Sequence, residues 1–275
     1  MNIGFIGGGN MAAALIGGLT GGDGRYRIVV HEPDAARAAA LAERFAVRLA
    51  PDNAAVVAGS DVVVLAVKPQ VARDVTVAIA PAFAARQPLL ISIAAGIRAA
   101  SLAEWLGGDA AVARAMPNTP ALVGKGISAL YATPQVQDSQ RDAAERVLGG
   151  VGEVLWVASD EEIDMVTAVS GSGPAYFFLV MEAMTNAGKQ LGLPEATARR
   201  LAVATAVGAG ALAQQSDDAP RQLREAVTSP GGTTQRALQV LQDGGLVGLF
   251  EAAISAACRR AAEMADEFGT PASGD

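Results

Sequence analysis

The stretch Ile3-Gly4-Phe5-Ile6-Gly7-Gly8-Gly9-Asn10-Met11-Ala12 decides the fold: a short apolar run, three glycines, then residues at helical spacing. Gly7, Gly9 and Ala12 fill the pattern G-x-G-x-x-A. In that pattern the first glycine permits a tight turn and the second lets the backbone approach a pyrophosphate. The small third residue lets helix and strand pack closely. The helix start then faces the phosphates with N–H groups that have no partner inside the helix. A strand before and a helix after are the context that a dinucleotide site needs, and both are expected here.

Outward from this motif, short apolar runs alternate with helical segments. Strands are expected at Ile3–Ile6, Arg27–Val30, Val62–Val67, Leu89–Ile93, Ala111–Ala115, Ile127–Tyr131 and Val154–Val157, with amphipathic helices such as Met11–Leu19 and Asp34–Phe45 between them. A run such as Val-Val-Val-Leu-Ala-Val has no polar face, so helices must cover it on both sides. Alternation of this kind predicts an α/β fold with a parallel, doubly wound sheet of Rossmann type. Beyond Asp160 only helical periodicity remains, over Ile163–Val169, Pro174–Leu191, Glu195–Ala213, Pro220–Val227, Thr234–Gln242 and Leu246–Phe268, with Pro174, Pro194 and Pro220 at first-turn positions. The expected division is a dinucleotide-binding domain over residues 1–159 and an all-α domain over 160–275, ending in a disordered tail, Thr270–Asp275. Leu201–Ala213 is apolar nearly all round. A helix without a polar face must be buried on every side, so a homodimer through the helical domain is expected.

Of 275 residues, 51% are hydrophobic and 18% charged, which excludes a disordered chain, and the length suits two domains. A net charge of −7 with no basic cluster argues against nucleic acid as partner. The single cysteine, Cys258, excludes an internal disulfide and reads as a buried, inert thiol. No Cys/His set points to a metal. No signal peptide is read at Met1, and Leu201–Ala213 is shorter than the roughly 20 residues that a bilayer requires, so a soluble, cytoplasmic protein away from the membrane is expected.

Loops at strand carboxyl ends line the ligand crevice of an open parallel sheet, and several carry informative residues. Glu32 follows the second strand, where an acidic side chain hydrogen-bonds a ribose 2′-hydroxyl and repels a 2′-phosphate, favouring NAD. Arg37, one helical turn on, is within reach of a phosphate, while a solvated turn is the alternative for Glu32. His31, the one histidine, is read as capping the strand end. Lys68-Pro69, Ser92–Gly96 and Met116–Pro120 end three further strands with polar or small residues. In the helical half, Ser170–Tyr176 and Thr228–Thr234 place glycines before helix starts, which exposes N–H groups to an anion. Ordinary N-capping explains either loop alone; two together suit a small carboxylate ligand better.

With these blocks in view, the chain resembles the pyrroline-5-carboxylate reductase family along nearly its whole length. The resemblance rests on Gly4–Ala12, Ala66–Pro69, Ser92–Gly96, Met116–Pro120, Ser170–Tyr176 and, most specifically, Thr228–Thr234 with Ala237-Leu238 after it. It implies reduction of L-1-pyrroline-5-carboxylate to L-proline by NADPH or NADH, and a helical dimerisation domain whose dimers often form decamers. Carried over by position, the pyrophosphate sits over Ile6, Gly7, Gly8, Gly9, Asn10 and Met11. Asn53, Ala66, Val67, Lys68 and Pro69 line the adenosine and ribose side, and Ile93, Ala94 and Ala95 the nicotinamide. The resemblance puts the substrate carboxylate on the backbone of Gly231, Gly232, Thr233 and Thr234, with the Thr234 hydroxyl as the catalytic contact to the ring nitrogen, and it places Asp160 near the substrate. Many members prefer NADP and carry small hydroxyl residues where this chain has His31-Glu32. Two other readings remain at this stage. One is a related two-domain reductase such as a 3-hydroxyacid dehydrogenase, whose lysine would have to be Lys189; the other is a non-catalytic dinucleotide sensor.

Overall fold

The computed structural model describes residues 1–21 and 26–269, so the tail expected at Thr270–Asp275 lies outside the described residues. The chain divides into two compact units, one of residues 1–172 and 257–275, the other of residues 173–256. The change to purely helical structure falls at Asp160, as the periodicity predicts, but the second compact unit begins later, at Gly173.

The first unit is built on an eight-stranded sheet. In chain order its elements are β1 (Asn2–Ile6), α1 (Asn10–Thr20), β2 (Arg27–His31), α2 (Ala35–Phe45), β3 (Arg48–Leu49), α3 (Asn53–Ala58), β4 (Val62–Leu65) and α4 (Pro69–Arg86). Then come β5 (Leu89–Ser92), α5 (Ala99–Trp105), β6 (Val112–Met116), β7 (Gly126–Ala132), α6 (Asp138–Gly149), β8 (Gly152–Trp156) and α7 (Asp160–Val166). The spatial order is β3-β2-β1-β4-β5-β6-β7-β8, whose first six positions follow the dinucleotide-binding order and reverse direction between β1 and β4. Residues of β4 alternate between two cores: Val62 and Val64 join one with Ile3, Phe5 and Leu15, while Val63 and Leu65 join the other with Ile6, Val57 and Ile79. Burial on both faces explains why the strand has no polar side.

The sheet is not parallel throughout. β7 runs antiparallel to β6, pairing Met116 with Ala129, and β8 then runs parallel to β7. The cause is the connection: only a 3₁₀ turn, Thr119–Val123, links β6 to β7, whereas a parallel return needs a crossover of a dozen or more residues. Three expected strands stop short of their apolar runs. Val62–Val67 ends at Leu65 because Ala66, although its N–H still reaches the Ile6 carbonyl at 2.8 Å, opens the loop.

The second unit contains α8 (Gly173–Gln190), α9 (Glu195–Gln215), α10 (Pro220–Ala226), α11 (Thr233–Asp243) and the first half of α12 (Leu246–Gly269), whose second half belongs to the first unit. Pro220 opens α10 at its first turn as expected, whereas Pro194 stands one residue earlier, as the N-cap of α9. Within this unit α9 packs its small residues on α8, and a side chain at Gly188 would come within 3.0 Å of the Ala198 Cβ. The outer faces stay uncovered in the single chain: Phe177, Phe178 and Leu179 on α8 and Val207 on α9 are each more than 60% exposed. Asp160–Gln190, with a mean hydropathy of 1.2, is long and apolar enough to cross a bilayer by length and composition. It is longer than the Leu201–Ala213 segment singled out from the sequence. Its first turns, however, carry Asp160 and Asp164 into buried ion pairs, as described next.

Candidate active site

The strand registers bring the expected cofactor loops to one edge. Ile6 pairs with His31 on one side and Leu65 on the other, and Leu65 pairs in turn with Ser92. The segments after these residues therefore emerge side by side at the carboxyl ends of β1, β2, β4 and β5.

The glycine loop divides its labour. Gly7 has φ +93°, and a Cβ there would sit 2.6 Å from the Ala66 carbonyl oxygen; its N–H is bonded to His31 O at 2.9 Å. A Cβ on Gly8 would strike Leu41 at 2.5 Å. These two glycines are demanded by the protein's own packing. Gly9 is not: a Cβ on it would meet nothing within 4 Å. Gly9 is the N-cap of α1 and uses no side-chain cap, so the open space in front of this helix start fits the close approach of a diphosphate. Asn10 and Met11 form the first turn beyond it.

Around this cradle, Glu32 accepts the Gly8 N–H at 2.8 Å and Arg37 Nη1 at 3.2 Å. Arg37, read from the sequence as within reach of a phosphate, is thus held by Glu32 and, at 3.8 Å, by Asp34. Asp34 caps α2 by accepting the Arg37 N–H, which holds its carboxyl below the usual range, with the Arg37 charge adding to the effect. His31 Nδ1 lies 3.2 Å from Ala50 O and donates to it, tying β2 to the loop that follows β3. Asn53, first residue of α3, has a buried Oδ1 with no hydrogen-bond partner among the described residues. An orphaned buried acceptor has a cost unless a ligand donates to it, and a ribose or adenine group supplies such a donor. Ala66, Val67 and exposed Lys68 form the next loop, with Lys68 and Pro69 opening α4. Ile93 donates its N–H to Leu65 O, and the Ala94 N–H reaches the Ser92 hydroxyl, leaving Ile93–Ala95 as a small-residue ledge for a flat ring. Open space at Gly9, the orphan on Asn53 and the acidic ribose-side residue together fit a nicotinamide dinucleotide.

Two expectations change. Ser170–Tyr176 is not a fresh helix start. Thr167–Gly171 forms a π-helical turn that carries α7 on into α8, and the Ser172 N–H bonds back to Thr167 O at 2.8 Å. N–H groups used in this way do not hold an anion. The turn is instead seated by the β6 loop: Asn118 reaches Ser170 O at 3.3 Å and accepts the Ile127 N–H at 3.0 Å, while a Cβ on Gly171 would collide with Met116. Asp160 is likewise engaged inside the protein. Its oxygens take Arg114 Nη1 at 2.6 Å and the Ala99 N–H at 2.7 Å, and the residue is 8% exposed. Its geometry is that of a brace between α7, β6 and α5. Arg114, fully buried in β6, also holds Asp164 at 2.9 Å, and Arg98 holds the other oxygen of Asp164 at 3.0 Å. The sequence reading passed over Arg114, although an arginine in an otherwise apolar strand, with Asp160 and Asp164 one helical turn apart, is the signal that reveals it.

The Thr228–Thr234 loop of the second unit keeps most of its expected form. Gly231 has φ +72°, Gly232 is the N-cap of α11, and Thr233 and Thr234 occupy its first two helical positions. The Gly231 N–H is already given to Gln235 Oε1 at 2.6 Å and that of Gly232 to Ser229 O at 3.1 Å. The N–H groups left for a ligand narrow to those of the exposed Thr233 and Thr234, which precede the first intrahelical bonds. Lys189 forms an exposed ion pair with Glu195 at 2.8 Å, the surroundings of a surface residue and not of a catalytic lysine. Cys258 is partly buried in α12.

Comparison with known proteins identifies the family. Residues 160–264 match the family model of pyrroline-5-carboxylate reductase dimerisation, and residues 2–96 that of NADP oxidoreductase, coenzyme F420-dependent. A pyrroline-5-carboxylate reductase of Pseudomonas aeruginosa is 50% identical over 97% of this chain and 98% of its own length. The solved structure of the Coxiella burnetii enzyme is similar with a TM-score of 0.91 at 41% identity, covering 96% of this chain and 98% of that one. The Plasmodium falciparum enzyme, solved with NADP bound, is similar with a TM-score of 0.84 at 28% identity over 96% and 98% of the two chains. A dinucleotide cradle on the switch point of the sheet, a helical unit matched by a dimerisation model and near-full-length identity converge: this chain belongs to the pyrroline-5-carboxylate reductase family of NAD(P)-dependent oxidoreductases.

Proposed function

We propose that the chain reduces L-1-pyrroline-5-carboxylate to L-proline with NAD(P)H, the last step of proline biosynthesis, as a cytoplasmic homodimer able to build decamers. The observation that carries the substrate assignment is the start of α11, where two consecutive threonines follow a left-handed glycine and a glycine N-cap. The bound dinucleotide supplies a hydride for the imine carbon. The chain's own work is binding and orientation. The Thr233 and Thr234 N–H groups hold the ring carboxylate at the positive end of α11, and the Thr234 hydroxyl hydrogen-bonds the ring nitrogen. Gly231 shapes the turn instead of donating to the ligand, because Gln235 takes its N–H. Gly232, as N-cap, brings no side chain over the carboxylate. Asp160 acts at one remove, by bracing Ala99, at the start of α5 just beyond the nicotinamide ledge, and Arg114 of β6. A hydroxyl does not titrate near neutral pH, so the nitrogen receives its proton from solvent.

Steady-state oxidation of NADH or NADPH in the presence of pyrroline-5-carboxylate tests the reading directly. Thr234→Ala is expected to lower kcat by about 10²-fold, as loss of one positioned contact does, while dinucleotide affinity stays as in the wild type. An equal loss of both would remove Thr234 from the substrate site. Dinucleotide binding without turnover of the imine would leave the chain a sensor.

A further inference from the structure

We infer that Glu32 makes this chain select NADH over NADPH, and that Arg37 serves as its counter-ion and not as a ligand for a 2′-phosphate. The inference rests on the dinucleotide site described above and deepens it. In this fold the adenosine ribose lies at the end of the second strand, and Glu32 follows β2 directly. Its carboxylate is fixed from three sides. Oε2 accepts the Gly8 N–H at 2.8 Å; Oε1 accepts the Asp34 N–H at 3.0 Å and Arg37 Nη1 at 3.2 Å. The Glu32 side chain is 6% exposed, and its stem packs on Gly8, where a Cβ would stand 3.2 Å from that of Glu32.

This arrangement leaves little latitude. Oε1 already receives two donors, while Oε2 keeps one acceptor position, which matches a single ribose hydroxyl. A 2′-phosphate has no proton to offer there at neutral pH and carries a charge of roughly −1.5 to −2 against the carboxylate. Held by two backbone N–H groups, Glu32 does not swing aside to relieve the repulsion. Arg37 is the cation one would enlist for NADPH, but to reach the phosphate it must leave Glu32 and strip the carboxylate of its counter-ion beside a second anion. One ion pair thus disfavours the phosphate and occupies its natural partner.

The test is direct binding of NADH and of NADPH to the purified full-length protein, followed by nicotinamide fluorescence without any pyrroline substrate. The wild type is expected to bind NADH about 10-fold or more tightly than NADPH, since like charges brought together at close range carry a large penalty. On the same protein, ADP-ribose should displace NADH better than its 2′-phosphate does. Glu32→Gln keeps the shape and the Gly8 bond but loses the charge, so it should narrow the NADH preference by about 10-fold, chiefly by tightening NADPH. Glu32→Ser serves where the glutamine variant fails to fold. In Glu32→Gln/Arg37→Ala the gain for NADPH should shrink, because the relief of repulsion remains while the freed arginine that then holds the phosphate is gone. Tighter binding of NADPH by the wild type, or an unchanged ratio in Glu32→Gln, overturns the inference. The reductase reading fails separately: a protein that prefers NADH yet turns over no pyrroline-5-carboxylate sinks that reading alone.

Discussion

At the scale of single residues, the glycine loop separates what the fold needs from what the ligand needs. Gly7 combines φ +93° with a Cβ position 2.6 Å from a backbone oxygen. Gly7→Ala should therefore destabilise the folded protein by about 1–3 kcal/mol, read as a fall in the midpoint of urea unfolding. Gly9→Ala faces open space and should unfold like the wild type, within ~0.5 kcal/mol, yet bind NAD(P)H at least tenfold more weakly, because the added methyl stands where the diphosphate approaches. Equal unfolding midpoints with equal cofactor affinity in Gly9→Ala would remove that glycine from the phosphate site. Both glycines were legible in the sequence as a pattern, but their different reasons were not. The pattern records spacing, and only packing shows that Gly7 answers to Ala66 while Gly9 answers to no protein atom. Asn53 illustrates the opposite limit: nothing local marks an asparagine at a helix start as an orphan, and its buried acceptor appears only in the folded chain.

At the scale of elements, continuous apolar runs and loop positions were legible because burial on two faces leaves a direct trace in composition. The direction of β7 was not, since the run Ile127–Tyr131 reads alike in either direction; the short Thr119–Val123 connection decides it. The π turn at Thr167–Gly171 was hidden for a related reason. Ser-Gly-Ser-Gly-Pro has the look of a helix start, and the hydrogen bonds that make it a continuation run backward to residues of ordinary helical character. Its neighbour, the Arg114–Asp160–Asp164 group, ties β6 to α7 with nearly no solvent access. Replacing Arg114 by methionine would leave two carboxylates in a place built for a cation, and breaking a buried pair in this way costs about 3–5 kcal/mol. Arg114→Met is thus expected to lose that much in urea unfolding, and Arg114→Met/Asp160→Asn/Asp164→Asn to recover part of it. If the triple variant were no more stable than the single one, uncompensated charge would not be the cause of the loss. The resemblance puts Asp160 near the substrate, but a resemblance carries positions and not hydrogen bonds; that its two oxygens hold Arg114 and Ala99 was not legible in the sequence.

At the scale of the whole molecule, the helical unit presents far more apolar surface than a lone chain in water keeps. Phe177, Phe178, Leu179 and Val207 stand more than 60% exposed on helices α8 and α9, and residues 160–264 match a dimerisation family. Large apolar side chains left exposed in this number mark an interaction surface, and a second copy of the chain is the partner that the family match supplies. The expectation that α9 needs cover all round follows from its composition; the larger apolar face of α8 did not stand out because Glu182, Thr185 and Asn186 interrupt its sequence. A charge set into this face tests the assembly without touching the nucleotide cradle. Phe178→Asp/Val207→Asp should shift the protein toward monomer in sedimentation velocity and lower its melting temperature, because the folded state loses the stabilisation that a bound partner subunit supplies. NAD(P)H binding should persist, since Gly7, Gly9, Glu32, Asn53 and Ala94 all lie in the first unit. Loss of imine turnover together with the dimer, at unchanged cofactor affinity, would show that the start of α11 works only in the assembled enzyme. A monomer with full turnover would mean that association serves stability alone, and an unaltered sedimentation coefficient would place the interface on another face of the unit.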